Sequence, residues 1–184
     1  KLSVAGVNFV KAFKLTDLCV LNSHEYIDYL KFARELGFDL KDKNILYPKK
    51  IKIAHDNLLK QIEINKNKRI DAKIVKIARK ISSTQYKSRK YIIFPANSYK
   101  SLLDESKQQN NCVRTYAEKV AAGECYIYFM RELTDINHSL VTVEVRNKKV
   151  VQKRTKNNEI TSKEQDKFLK EWELTILRNC EVMN

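Results

Sequence analysis

Two short runs near the end of the chain constrain its fold more than any other feature. Residues 139–146, SLVTVEVR, alternate apolar and polar side chains. Successive side chains of an extended strand point to opposite faces. Val141, Val143 and Val145 therefore fall on one face, and Leu140, Thr142, Glu144 and Arg146 on the other. The polar NKK that follows turns the chain, and residues 150–155, VVQKRT, return as an antiparallel strand. Upstream, residues 125–131, CYIYFMR, read as a third strand, and residues 91–95, YIIFP, as a short one ended by proline. Strands that follow one another so closely make a three- or four-stranded antiparallel meander.

Helical spacing surrounds this meander. Asn22 or Ser23 caps a helix whose buried face holds Tyr26, Tyr29, Leu30, Ala33 and Leu36, with Gly37 as its stop. Pro48, at a first-turn position, opens a basic helical region that reaches about Ser82, with a break expected near residues 65–67. Ser98 begins a helix through about Lys107, and residues 113–122 form a short helix closed by Gly123. Thr161 and Glu164 have capping-box spacing and open a last helix carrying Phe168, Leu169, Trp172, Ile176 and Leu177. The stretch LSVAGVNFV, residues 2–10, reads as a strand or the end of an upstream element. The fold class is α+β: an N-terminal helical region with a long basic helix over residues 1–90, and an antiparallel sheet flanked by helices over 91–184, or one continuous domain.

At 184 residues the chain has the size of one domain, with or without a helical arm, and 43% hydrophobic residues can fill a core. Three glycines and two prolines disfavour low-complexity linkers and Gly-rich phosphate loops. The absence of a run of about 18 apolar residues argues against a transmembrane helix. The first residue is Lys1, so the sequence reads as a piece of a longer protein, and no signal-peptide core is evident. The expectation is a soluble, cytoplasmic protein that does not engage membranes. Cys19, Cys112, Cys125 and Cys180 have no CxxC spacing, and His24, His55 and His138 are far apart, which disfavours a zinc site. No metal and no cofactor are expected.

The net charge of +14 is uneven. Residues 1–90 hold 21 Lys and Arg against 9 Asp and Glu; residues 91–184 hold 15 against 13. Within that basic half, Ile70, Ile74, Ile77 and Ile81 make an apolar helical stripe. Lys66, Arg69, Lys73, Lys76 and Lys80 form a second stripe one residue out of phase, roughly 100° around the helix. The apolar face can dock while the cations face a polyanion such as DNA or RNA. A plain solvated helix face is the competing reading. An all-isoleucine stripe without Trp, Phe or Leu anchors does not suit a membrane surface.

A second cluster lies on the strands. Arg131 ends one strand, Thr142 and Glu144 share a face of the next, and Gln152 and Arg154 share a face of the third. Pairing about the NKK turn brings Glu144 close to Gln152. Such a set suits anion binding, or acid–base work if Glu144 is desolvated; the competing reading is a solvent-facing strand pair. Cys112, with Tyr116 one turn on, is a candidate nucleophile because helix N-termini lower thiol pKa values. A nucleophilic cysteine needs a general base, and neither His55 nor His138 is clearly suited. The preferred reading of Cys112 is a small buried side chain at the start of a helix.

The ordered set NNCVRTY, a Gly-bounded strand ending in Arg131, TVEV, VVQKRTKNN and FLKEW, preceded by YPKKIKIAHDNLLK, resembles the PcfJ-like family over roughly residues 26–175. Cys112 and Trp172 match the family's pattern. Asn111 stands where the family often has histidine, Arg114 where it often has glycine, and Thr155 where a glycine is expected. The resemblance implies a plasmid- or phage-borne protein working in or near DNA processing, and supplies no reaction. The leading expectation is a nucleic-acid-associated accessory protein of a mobile genetic element that contacts phosphates through its basic helix. The alternatives are an enzyme acting on nucleic acid or a nucleotide through Cys112, Tyr116, Arg131, Glu144, Gln152 and Arg154, and a protein–protein adaptor in a plasmid or phage complex.

Overall fold

A computed structural model describes residues 7–19 and 21–183, with the exception of the Phe9 side chain. Most of the 2–10 stretch, residues 2–6, lies outside the described residues. Its end is helix α1 (Phe9–Leu15) and not a strand, because the Asn8 Oδ1 accepts the Lys11 N–H at 3.0 Å and caps a turn. The chain packs as two compact units, Lys1–Lys66 and Asn67–Asn184.

The first unit holds α1, α2 (Ser23–Glu35), the one-turn α3 (Lys43–Leu46) and the start of α4 (Ile51–Lys80). Tyr26, Tyr29, Leu30, Leu46 and Ile51 form its core. Both tyrosines carry a hydroxyl that must find a partner when buried. Tyr26 donates to the Leu46 carbonyl at 2.5 Å, and Tyr29 to that of Ile45 at 2.6 Å. Asp17 accepts the Ile51 N–H at 2.8 Å, which satisfies an orphan donor at the start of α4. The break expected at residues 65–67 does not occur; α4 runs on, and Gln61 donates to Asn65 one turn later at 3.2 Å. The boundary between units nevertheless falls at Lys66/Asn67, inside α4 and not near residue 90. Ile70, Ile74, Ile77 and Ile81 pack into the sheet domain, so the second half of α4 belongs with the strands.

The second unit is built on a five-stranded antiparallel sheet in the order β1 (Tyr86–Lys87), β2 (Tyr91–Pro95), β3 (Tyr126–Glu132), β4 (Val141–Arg146), β5 (Lys149–Arg154). The two-residue β1 is the strand the sequence does not advertise. One face of the sheet buries Tyr128, Met130, Val141, Val143 and Val145 against Phe168, Leu169 and Trp172 of α7 (Lys163–Trp172). Burying each such side chain contributes about 1.5–3 kcal/mol. The Trp172 indole donates to the Thr84 carbonyl at 2.8 Å, so its polar edge is satisfied. The cap of α7 is one residue later than expected: Ser162 and Gln165 form the capping box. Beyond Trp172 the chain widens into a π turn (Glu173–Leu177) that still buries Leu177.

The other face carries Ile127 and Phe129 and is covered by Ile74 of α4, Leu102 of α5 (Tyr99–Gln109), Val113, and Ala117 and Val120 of α6 (Ala117–Ala122). Thr142 and Glu144, which alternation puts on this face, are therefore buried and not solvent-facing.

The β4–β5 hairpin turns on Asn147 (φ 49°) and Lys148 (φ 60°). Two successive positive φ angles are the signature of a two-residue type I′ turn. From that turn Arg146 pairs with Lys149 and Val145 with Val150. A bulge then intervenes, and Glu144 pairs with Gln152. Val151 is the extra residue. In a regular ladder that kept Val151 in line, Glu144 would oppose Val151, and Gln152 and Arg154 would point to the Trp172 side. The bulge re-aims both polar side chains to the Glu144 face.

Candidate functional site

The polar side chains of that face open into a slot of about 50 Å³ lined by Asn111, Cys112, Val113, Tyr116, Ile127, Thr142, Glu144, Gln152, Arg154 and Asn158. Five of the six residues singled out on chemical grounds, Cys112, Tyr116, Glu144, Gln152 and Arg154, lie there together. The strands supply Glu144, Gln152 and Arg154. The 3₁₀ turn Val113–Tyr116, anchored by buried Val113, supplies Tyr116 and sets Cys112 at its start. Cys112 is exposed, which corrects the expectation of a buried thiol: Val113 is the residue that docks into the core, and Cys112 sits one position outside it.

Glu144 is 6% exposed, and its Oε1 accepts both the Nε of Arg146 at 2.7 Å and an Nη at 2.6 Å. Among the described residues nothing hydrogen-bonds its other oxygen. The Arg154 guanidinium is held only by a 3.3 Å bond to the Lys153 carbonyl. The Gln152 amide and the Tyr116 hydroxyl make no hydrogen bond among the described residues. Burial, followed by the Glu144 carboxylate and the Cys112 thiol, raises the Tyr116 phenol above its ordinary value. Beneath the slot, burial pushes the Cys125 thiol up to about 11, with Glu144 the next cause. Cys125 is thus a protonated core residue at neutral pH.

Arg131, the sixth candidate, is not in the slot. It is 6% exposed and forms an ion pair with Glu105 of α5, itself 1% exposed. Arg131 also donates to the Met130 carbonyl at 3.0 Å and stacks over Phe129 at 5.2 Å. Thr142 completes the set by donating to Glu105 at 2.6 Å. The strand end that places Arg131 in sequence beside the other polar residues places it under α5 in space. There it closes a buried ion pair and does not reach the slot.

A second hollow of about 480 Å³ adjoins the slot and shares Asn111, Cys112 and Asn158 with it; Lys107, Asn110, Arg114 and Thr115 complete its rim. Asn157 and Asn158 both have positive φ, a conformation asparagine tolerates better than other side chains. Asn157 is held there by the Asn110 amide at 2.9 Å.

On α4 the cationic residues Lys66, Arg69, Lys73, Lys76 and Lys80 are all exposed, while Ile74 and Ile81 are buried. Lys66 belongs to the first unit and the other four to the second. Among the described residues, Arg69, Lys73, Lys76 and Lys80 form no ion pair. His55, near the start of the same helix, lies against Phe32 at 5.4 Å and hydrogen-bonds Asp56 at 2.9 Å. Among the described residues no three His, Cys, Asp or Glu side chains come together as a metal site would require, and no helix is long and apolar enough to cross a membrane.

Comparison with known proteins places the chain. The PcfJ-like protein family matches residues 25–169. The chain belongs to the PcfJ-like family. A Listeria innocua protein, described only as uncharacterized, is 30% identical over 135 residues, which cover 72% of this chain and 30% of that protein. The chain thus spans less than a third of that relative. No solved structure matches. In this PcfJ-like chain the matched span contains the ridge, the slot and the Arg131–Glu105 pair; Trp172 lies just beyond it.

Several residues of the PcfJ-like site escape sequence reasoning. Glu105 and Gln109 lie one turn apart on α5 with Leu102 and Ser106 and are all buried. That polar spacing on a docked face is the signal that a buried charge needs a partner. Asn158, Lys107 and Arg114 carry no comparable signal. Lys107 and Arg114 lie on α5 and on the 3₁₀ turn after it, and Asn158 joins them because the Asn157–Asn158 turn brings the chain after β5 back to Asn110.

Proposed function

We propose that this PcfJ-like chain is a nucleic-acid-associated protein, an accessory of a mobile element, that contacts the phosphate backbone through α4. The observation that supports this reading is the ridge Arg69, Lys73, Lys76 and Lys80: four exposed cations with no acidic partner among the described residues, on a helix whose neighbouring face is buried. The residues recur at about one helical turn, roughly 5.4 Å, which lets one face track a phosphate chain. Neutralising phosphates releases counterions, so binding weakens steeply with salt, by about 0.9 in log–log slope per contact on duplex DNA. Fluorescence anisotropy with a duplex and a single strand at a series of salt concentrations tests this. The triple reversal Lys73→Glu, Lys76→Glu, Lys80→Glu lowers affinity and flattens the slope by about 2–3. Unchanged affinity in that variant refutes the reading. The plasmid or phage setting rests on the family resemblance alone.

A second reading, an enzyme acting on nucleic acid or a nucleotide, is favoured by the slot. There Glu144, Gln152, Arg154, Tyr116 and Cys112 converge with much of their hydrogen-bonding capacity uncommitted.

A further inference from the structure

The slot gathers open polar groups from several elements at once: one oxygen of Glu144, the exposed Gln152 amide, the Tyr116 hydroxyl and most of the half-buried Arg154 guanidinium line shared space without committed bonds among the described residues. Their chemistry is mixed. A simple anion would meet the Glu144 charge, and a simple cation the Arg154 charge. A neutral edge with an N–H donor beside an acceptor satisfies both, and a carboxylate, an amide and a guanidinium are the side chains that read such edges on nucleobases. Val113, Ile127 and the Tyr116 ring give the slot apolar walls for a planar ring. At about 50 Å³ the slot holds only the edge of a ligand, since whole ligands occupy roughly 300–1,000 Å³. The adjoining hollow, about 480 Å³, holds the rest, and its rim carries the exposed cations Lys107 and Arg114.

We propose that slot and hollow form one nucleotide-binding site, with the base edge against Glu144 and Gln152 and the phosphate toward Lys107 and Arg114. This rests on the second functional reading above and is independent of the α4 ridge. The nucleotide is either free or the exposed nucleotide of a strand, the chemistry being the same.

Cys112, on the border of slot and hollow, provides the readout, and exposed Cys19 of the other unit is the internal control. Alkylation of the full chain is followed by mass spectrometry with millimolar AMP, GMP, CMP or UMP, with the matching nucleosides, with inorganic phosphate, and with a short single-stranded oligonucleotide. The expected result is severalfold slower alkylation of Cys112, and not of Cys19, with at least one nucleotide. Protection by the oligonucleotide alone assigns the site to a strand; protection by the mononucleotide assigns it to a free nucleotide. Gln152→Ala and Glu144→Gln weaken protection by nucleotide and nucleoside alike, by roughly tenfold for a lost pair of hydrogen bonds. The double variant Lys107→Ser, Arg114→Ser weakens protection by the nucleotide only. Trp172 fluorescence confirms that each variant is folded. Cys112 labelled at the same rate under every condition overturns the proposal. So does equal protection by inorganic phosphate, or protection indifferent to Gln152→Ala and Glu144→Gln in folded protein. The triple reversal on α4 leaves mononucleotide protection intact, so failure of the ridge and failure of the slot are told apart.

Discussion

Replacing Arg131 by Met tests whether that guanidinium is structural. Arg131 and Glu105 are 6% and 1% exposed, so neither charge has water to fall back on. In Arg131→Met the Glu105 carboxylate keeps one donor, the Thr142 hydroxyl at 2.6 Å. Removing one member of a buried pair costs about 3–5 kcal/mol, because the other is left charged and unpaired. The residual Thr142 bond places this case near the lower end, about 3 kcal/mol. Removing both, in Glu105→Leu with Arg131→Met, leaves only the Thr142 hydroxyl without its acceptor, a loss of about 1 kcal/mol. The double variant is therefore more stable than Arg131→Met alone, a strongly non-additive cycle. Urea unfolding followed by Trp172 fluorescence is the assay. Trp172 is the only tryptophan and lies in the core of the sheet unit, so the signal reports that unit alone. A single substitution within about 1 kcal/mol of the parent, or a double whose loss is the sum of its parts, refutes the reasoning.

Two further outcomes are expected. The Cys125 thiol ordinarily loses its proton near 9 and is raised to about 11 by burial, and Tyr128 is raised in the same direction for the same reason. The unfolded chain then gives up these protons before the folded one, so stability is full below about pH 9 and is lost as pH rises toward 11. Urea midpoints measured across that window check this, and Cys125→Ala removes part of the decline. Lys148 holds φ 60° in the hairpin turn at a cost that glycine does not incur. Lys148→Gly raises stability by about 0.5–1 kcal/mol in the same assay.

Alternation at residues 139–146 was enough to assign faces to β4, and the polar residues that gather in the slot were visible as a set. What alternation alone did not reveal was the cover: α5 and the 3₁₀ turn lie over that face, so Glu144 is buried rather than washed by solvent. Burial depends on what packs on top, which is a tertiary fact. Cys112 shows the converse. Its apolar neighbour Val113 took the inward position, and a one-residue phase difference in a short turn decided which side chain reached the core. Arg131 misled because strand position does not say which helix lies above. The long helix was legible from its isoleucines, but not the point within it at which packing changes hands.

The bulge at Val151 sets the parity of β5. A strand is a two-state code, inward or outward, and here one extra residue is absorbed to shift its phase. Deleting Val151 would straighten the strand yet keep Gln152 opposite Glu144, because Gln152 would then follow Val150 directly. Drawing Val151 into a regular ladder would do the opposite: Lys153, now joined to Asp166 at 2.6 Å, would turn toward the slot, and Gln152 and Arg154 would be driven against the tryptophan core. In relatives of this chain, loss of that one residue would therefore preserve the recognition face, whereas any change that flattens the bulge would invert it.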